Sequence, residues 1–124
     1  MSTIRVDNFG PSAGGTTYSA RGIAKAWVNF DGSSSPLAAR DSLNVASLTD
    51  SGEGFYIVNF SSAFGAADYA TAATAGDNAS GTSLIQAPFN TAQTASAMQL
   101  HVYNSSFNAT DRTNINGTFF GDLA

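Results

Sequence analysis

Apolar and polar residues alternate with a period of two through several short stretches of the chain, which is the signature of half-buried β-strands rather than of helices. From Ile23 to Phe30, Ala24, Ala26, Val28 and Phe30 fall on one face, and Ile23, Lys25, Trp27 and Asn29 fall on the other. Asp31–Pro36 reads as a turn. In the next strand Leu43 and Val45 point one way and Asn44 and Ala46 the other. Asp50–Gly54 interrupts the chain with two glycines able to take positive φ, and Phe55–Phe60 resumes with aromatic and β-branched residues. Two such runs joined by a glycine turn predict a β-hairpin. Met98, Leu100 and Val102 alternate with Gln99, His101 and Tyr103, and Ile115–Phe120 closes the chain as a last strand.

The remaining segments are softer. Tyr69–Ala75 fits a strand, although 63–75 can also be drafted as a helix; Gly65 and Gly76 bracket it, and Thr71 and Thr74 favour extended backbone. Asp77–Thr82 reads as a loop, Leu84–Phe89 as a short apolar piece carrying Pro88, and Asn104–Asn114 as a polar loop. Residues 1–20 begin with an alternating Thr3–Val6 and continue through Pro11 and Gly14-Gly15, which predicts an arm or linker. Residues 21–124 then form one domain. About seven or eight short strands at turn spacings predict an all-β fold, an antiparallel β-sandwich or jelly-roll-like domain with an extended N-terminal arm.

Composition sharpens this picture. Only 11% of the 124 residues are charged, with a single lysine, Lys25, and a single glutamate, Glu53. Exposed helices draw on those residue types, so a helical bundle is excluded. The chain has one tryptophan, Trp27, and nine phenylalanines. A core lean in aliphatics cannot bury all of them, which predicts a homo-oligomer, a trimer by preference, with apolar surface facing partner chains. Ile4, Val6, Phe9 and Trp27 are the candidate oligomer or assembly contacts. The formal charge is −4 and no basic cluster exists. Nucleic-acid binding, which needs a cationic face, is therefore excluded, as is membrane insertion, which needs a long apolar run. Met1–Asp7 also lacks the apolar centre of a secretory signal.

The chemistry-bearing residues are sparse. There is no cysteine, so neither disulfides nor thiolate metal sites arise. His101 is the sole histidine; a nucleophilic triad would have to join it to Ser105 or Ser106 and Asp111, with no nucleophile-elbow motif in support. Asp50 and Glu53 share one turn, and Asp31 and Asp41 flank another segment, which suits turn-forming acceptors better than a glycosidase pair or a metal site. Asn59, Asn78, Asn104, Asn108 and Asn116 begin Asn-x-Ser/Thr sequons, a consequence of the abundance of these residues. No enzyme activity, cofactor or metal is implied. Two binding readings remain. Trp27 with Lys25 and Arg21 has the makings of a sugar-stacking platform, and Tyr103, Asn104 and Phe107 have the adaptable composition of a recognition loop.

Gly22-Ile23-Ala24-Lys25-Ala26-Trp27-Val28-Asn29-Phe30-Asp31-Gly32 resembles a domain of phage tail fibres and related small virion proteins. The likeness continues through Ala38-Ala39-Arg40-Asp41-Ser42-Leu43-Asn44-Val45-Ala46-Ser47-Leu48-Thr49-Asp50, Gly52-Glu53-Gly54 and Tyr56-Ile57-Val58-Asn59-Phe60, and less closely to Ala67-Asp68-Tyr69. The resemblance implies a non-enzymatic virion protein, a tail-fibre or tail-tip subunit engaged in host attachment, partnered by other tail or capsid proteins and by a host-surface glycan or protein. A capsid decoration protein and a carbohydrate-binding module are the alternatives.

Overall fold

The computed structural model describes residues 2–3, 5–10, 13–77, 83–86 and 93–124. Among them the strands are β1 (Asn8–Phe9), β2 (Tyr18–Ser19), β3 (Ala26–Phe30), β4 (Ala39–Leu43), β5 (Val45–Gly52), β6 (Phe55–Phe60), β7 (Ala70–Gly76), β8 (Ser83–Gln86), β9 (Ala97–Asn104) and β10 (Asn114–Phe120). A first sheet has the order β4-β3-β10-β7 and a second the order β5-β6-β9-β8, both antiparallel, while β1 and β2 pair with each other. The all-β sandwich expected from the alternation is the observed fold.

The alternating residues build the core directly. Ala26, Val28 and Phe30 of β3, Ile115 and Phe119 of β10, Tyr56, Val58 and Phe60 of β6, and Met98, Leu100 and Val102 of β9 are buried together. Edge-to-face aromatic contacts stitch the sheets: Phe30 on Tyr56 at 5.2 Å and Phe60 on Phe119 at 5.0 Å. One end is closed by Phe64 stacked on Tyr69 at 4.2 Å. At Gly32 a Cβ would collide with the Tyr56 ring and the Ile115 side chain, so only glycine lets the turn after β3 lie over the core.

One sequence expectation changes. The run around Leu43–Val45 is not one strand: β4 belongs to the first sheet and β5 to the second. The chain crosses between them at Asn44, which takes φ 56°. Asparagine tolerates this left-handed conformation, and here its side chain accepts from the Ser62 N–H at 2.7 Å and donates to the Ser62 carbonyl at 3.0 Å. Leu43 consequently lies on the outer side, 49% exposed. The strand reading of Tyr69–Ala75 holds and the helix draft of 63–75 does not: Phe64 bridges to Leu123, and β7 pairs along β10 from Ala70 to Gly76. Within the N-terminal region Asn8 and Phe9 pair with Ser19 and Tyr18, and the Ala20 N–H donates to the Asp7 carbonyl at 2.8 Å. The loop expected at 77–82 and the apolar piece at 84–89 fall partly outside the described residues.

Candidate functional site

At the end of β9 the chain makes a tight loop and returns alongside the strand it has left. The Phe107 N–H donates to the Asn104 carbonyl at 3.0 Å, the Asn104 N–H to Asn108 at 2.9 Å, and the Thr110 N–H to Val102 at 3.1 Å. Asn104 Oδ1 also accepts from the N–H groups of Ser106 (2.9 Å) and Asn108 (3.1 Å). This side chain replaces backbone partners within the turn, which is why asparagine suits the position. The outcome is a phenylalanine, Phe107, at φ 61° and 70% exposed. A left-handed conformation costs a residue with a Cβ about 1–2 kcal/mol, so the loop's hydrogen bonds hold an apolar ring outward against its own preference.

The tip stands on a firm base. Gly54, at φ +73°, lies so close to the returning chain that a Cβ would come within 2.6 Å of both Thr110 N and Val102 O. Asp111 then ties the loop to the β5–β6 turn and the core, its Oδ1 accepting from the Gly54 N–H (2.8 Å) and the Tyr56 hydroxyl (2.5 Å). Burial and the neighbouring carboxylate push the Tyr56 hydroxyl pKa well above its ordinary value, so it remains a donor.

The three loop candidates therefore take different roles. Phe107 is presented and Asn104 builds the loop that presents it. Tyr103 is a strand residue on the outer face of the second sheet, opposite Leu84. There His101 packs edge-on against Phe55 with ring centres 4.4 Å apart, Tyr103 lies 6.1 Å from Phe55, and the Tyr103 hydroxyl is 3.3 Å from His101 Nδ1. Burial against these rings lowers the His101 pKa. His101 and Asp111 are not joined as a triad, because Asp111 serves the Tyr56 and Gly54 donors.

Trp27 is half-buried on the outer face of the first sheet, with Leu43 directly opposite on β4 and Thr118 on β10. One step along the strands, Asn29 stands opposite Asn116, and its Nδ2 donates to Asn116 Oδ1 (2.6 Å) and Asn114 Oδ1 (2.8 Å). The Lys25 ammonium is directed at the Ala20 carbonyl, to which its Nζ donates at 3.1 Å. The Arg21 side chain is outside the described set. Of the other assembly candidates, Val6 is 53% and Phe9 46% exposed, and Ile4 lies outside the described residues.

The acidic residues act as local acceptors. Asp50 accepts from the Gly52 N–H, Asp41 from the Ser42 N–H, and Asp31 from the Ser33 N–H and hydroxyl. The Ser33 bonds hold the Asp31 carboxyl below its ordinary pKa. Among the described residues no group of three or more His, Cys, Asp and Glu is arranged to hold a metal. Sequence reading missed the Asn29–Asn114–Asn116 cluster. Its signal is the alternation Asn114, Asn116, Thr118 on the solvent side of β10, but the partner Asn29 lies more than 80 residues away in the chain. No known protein family matches the chain, and neither a curated protein nor a solved structure matches it.

Proposed function

We propose that this protein is a non-catalytic bacteriophage virion subunit, a homotrimeric tail-fibre or tail-tip component that meets the host surface through the loop after β9. Phe107 carries the reading: a 70% exposed ring in a left-handed backbone, fixed by Asn104 and braced by Gly54 and Asp111. A fold that holds a strained apolar residue outward on a rigid base is organised for contact. The resemblance of residues 22–69 to phage tail proteins supplies the setting. Exposed Val6 and Phe9 provide apolar surface that assembly would cover.

The test has two arms. The protein is located on purified phage particles by labelled electron microscopy, with a tail position and low copy number expected; a high-copy head position would favour capsid decoration. Phe107→Gly then relieves the backbone strain and removes the ring. Particles carrying it are expected to assemble normally and adsorb to host cells at least about tenfold more slowly, as removal of an interface anchor does. Unchanged adsorption overturns the role of the loop.

A further inference from the structure

We propose that the outer face of the first sheet, centred on Trp27, binds an uncharged oligosaccharide. The inference goes beyond the virion reading and does not require it, because isolated protein suffices for the test. Three observations converge on this face.

The first is its relief. The register sets Leu43, Trp27, Thr118 and Ala72 in one row across β4, β3, β10 and β7, and Asp41, Asn29, Asn116 and Thr74 in the next. Trp27 thus stands beside a shelf of small side chains, with Phe120 on the same side at the far end of β10. The two rows are about 7 Å apart along the strands, and each step across them is about 4.8 Å, so ring and amides lie within the reach of one short saccharide. Sugar rings offer an apolar C–H face and a rim of hydroxyls, which is the same pairing of chemistries.

The second is the order of the amides. Asn29 commits both Nδ2 hydrogens to the carbonyls of Asn114 and Asn116, and Asn116 Nδ2 reaches Asn114 Oδ1 at 3.4 Å. These contacts fix the amide planes. Among the described residues, N–H capacity on Asn114 and Asn116 and the Asn29 carbonyl then remain for a ligand, a preorganised mixture of donors and acceptors.

The third is charge. Lys25 keeps its charge but is held at the Ala20 carbonyl, Arg40 is paired with Asp31 at 3.3 Å, and the carboxylate of Asp41 flanks the amides. The amide row itself therefore presents no cation to an acidic sugar and suits a neutral one.

Trp27 is the only tryptophan in the chain, so its fluorescence reports on this face alone. Purified protein is titrated with neutral gluco-, manno- and galacto-configured trisaccharides and with sialylated and uronic-acid counterparts. A saturable emission change with at least one neutral trisaccharide, weaker with acidic ones, is expected. Asn116→Ala should weaken it by about tenfold, a loss fitting one or two hydrogen bonds. Trp27→Ala, followed by amide chemical shifts, should abolish binding. Should that variant not fold, the shifts of the Trp27 indole N–H and the Asn114 and Asn116 side-chain amides in the unaltered protein decide the matter. The proposal is overturned if no neutral trisaccharide moves these signals or if binding survives Asn116→Ala undiminished. It is equally overturned if Trp27 emission follows protein concentration instead of saccharide, which would mean that a second copy covers the face.

Discussion

The two outer faces of the sandwich carry aromatic residues under opposite conditions. On the second sheet Phe55, His101 and Tyr103 pack against one another, so their apolar surface is largely consumed inside the chain. On the first sheet Trp27 has Leu43 and Thr118 as cross-strand neighbours, and among the described residues no other ring stacks on it. The same alternation placed both sets outward. Cross-strand register alone separates a cluster of rings packed on one another from a ring whose cross-strand neighbours are not aromatic.

Substitutions can break or sharpen that contrast. Phe55→Ala should be the most damaging, costing about 2 kcal/mol or more in urea unfolding, because two ring contacts and their burial disappear together. Trp27→Ala should cost less, about 1–2 kcal/mol, as a partly buried residue without a ring partner. If Trp27→Ala proves the more destabilising, the roles of the faces are reversed. Phe107→Gly should leave the melting temperature unchanged or slightly raised, since relief of the left-handed strain, about 1 kcal/mol, is opposed by the greater freedom of glycine in the unfolded chain. A clear drop would show that the ring supports the loop.

The smallest effect concerns pH. Burial holds the His101 pKa below its ordinary value of 6.5, so the folded state favours neutral imidazole. Its contribution is complete above pH 6.5 and is lost as pH falls through the folded-state value, because the unfolded chain then binds the proton more readily. Urea midpoints measured from pH 7.5 to 5 should fall more steeply for the unaltered protein than for His101→Gln. Parallel slopes would show that the imidazole is not shielded by Phe55 and Tyr103.

Strands whose inner faces hold large apolar residues were readable directly. Val28 and Phe30, Tyr56 and Val58, Met98 and Leu100, and Ile115 and Phe119 announce β3, β6, β9 and β10, and all eight are buried. The glycine turn between β5 and β6 was equally plain. β7 was ambiguous because Ala70–Gly76 is nearly all small residues, and alanine serves a helix as readily as a strand. The crossing at Asn44 was hidden, since a single left-handed residue reverses which side Leu43 faces without disturbing the hydrophobic pattern. At the candidate sites, Phe107 and Trp27 stood out by residue type. What holds them did not: Asp111 is 55 residues from Tyr56, and Asn29 is 87 from Asn116.

The sequence by itself determined that this chain builds strands, where most of them run and which residues turn inward, because those properties follow from local alternation and turn chemistry. It also determined the scarcity of charge and of titratable groups that frames any functional reading. Only the tertiary structure decided which strands share a sheet, which outward rings cover one another and which remain open, and how Phe107 and Trp27 are supported. Those outcomes depend on cross-strand register and on hydrogen bonds between distant residues, and periodicity within one strand carries no information about its neighbour.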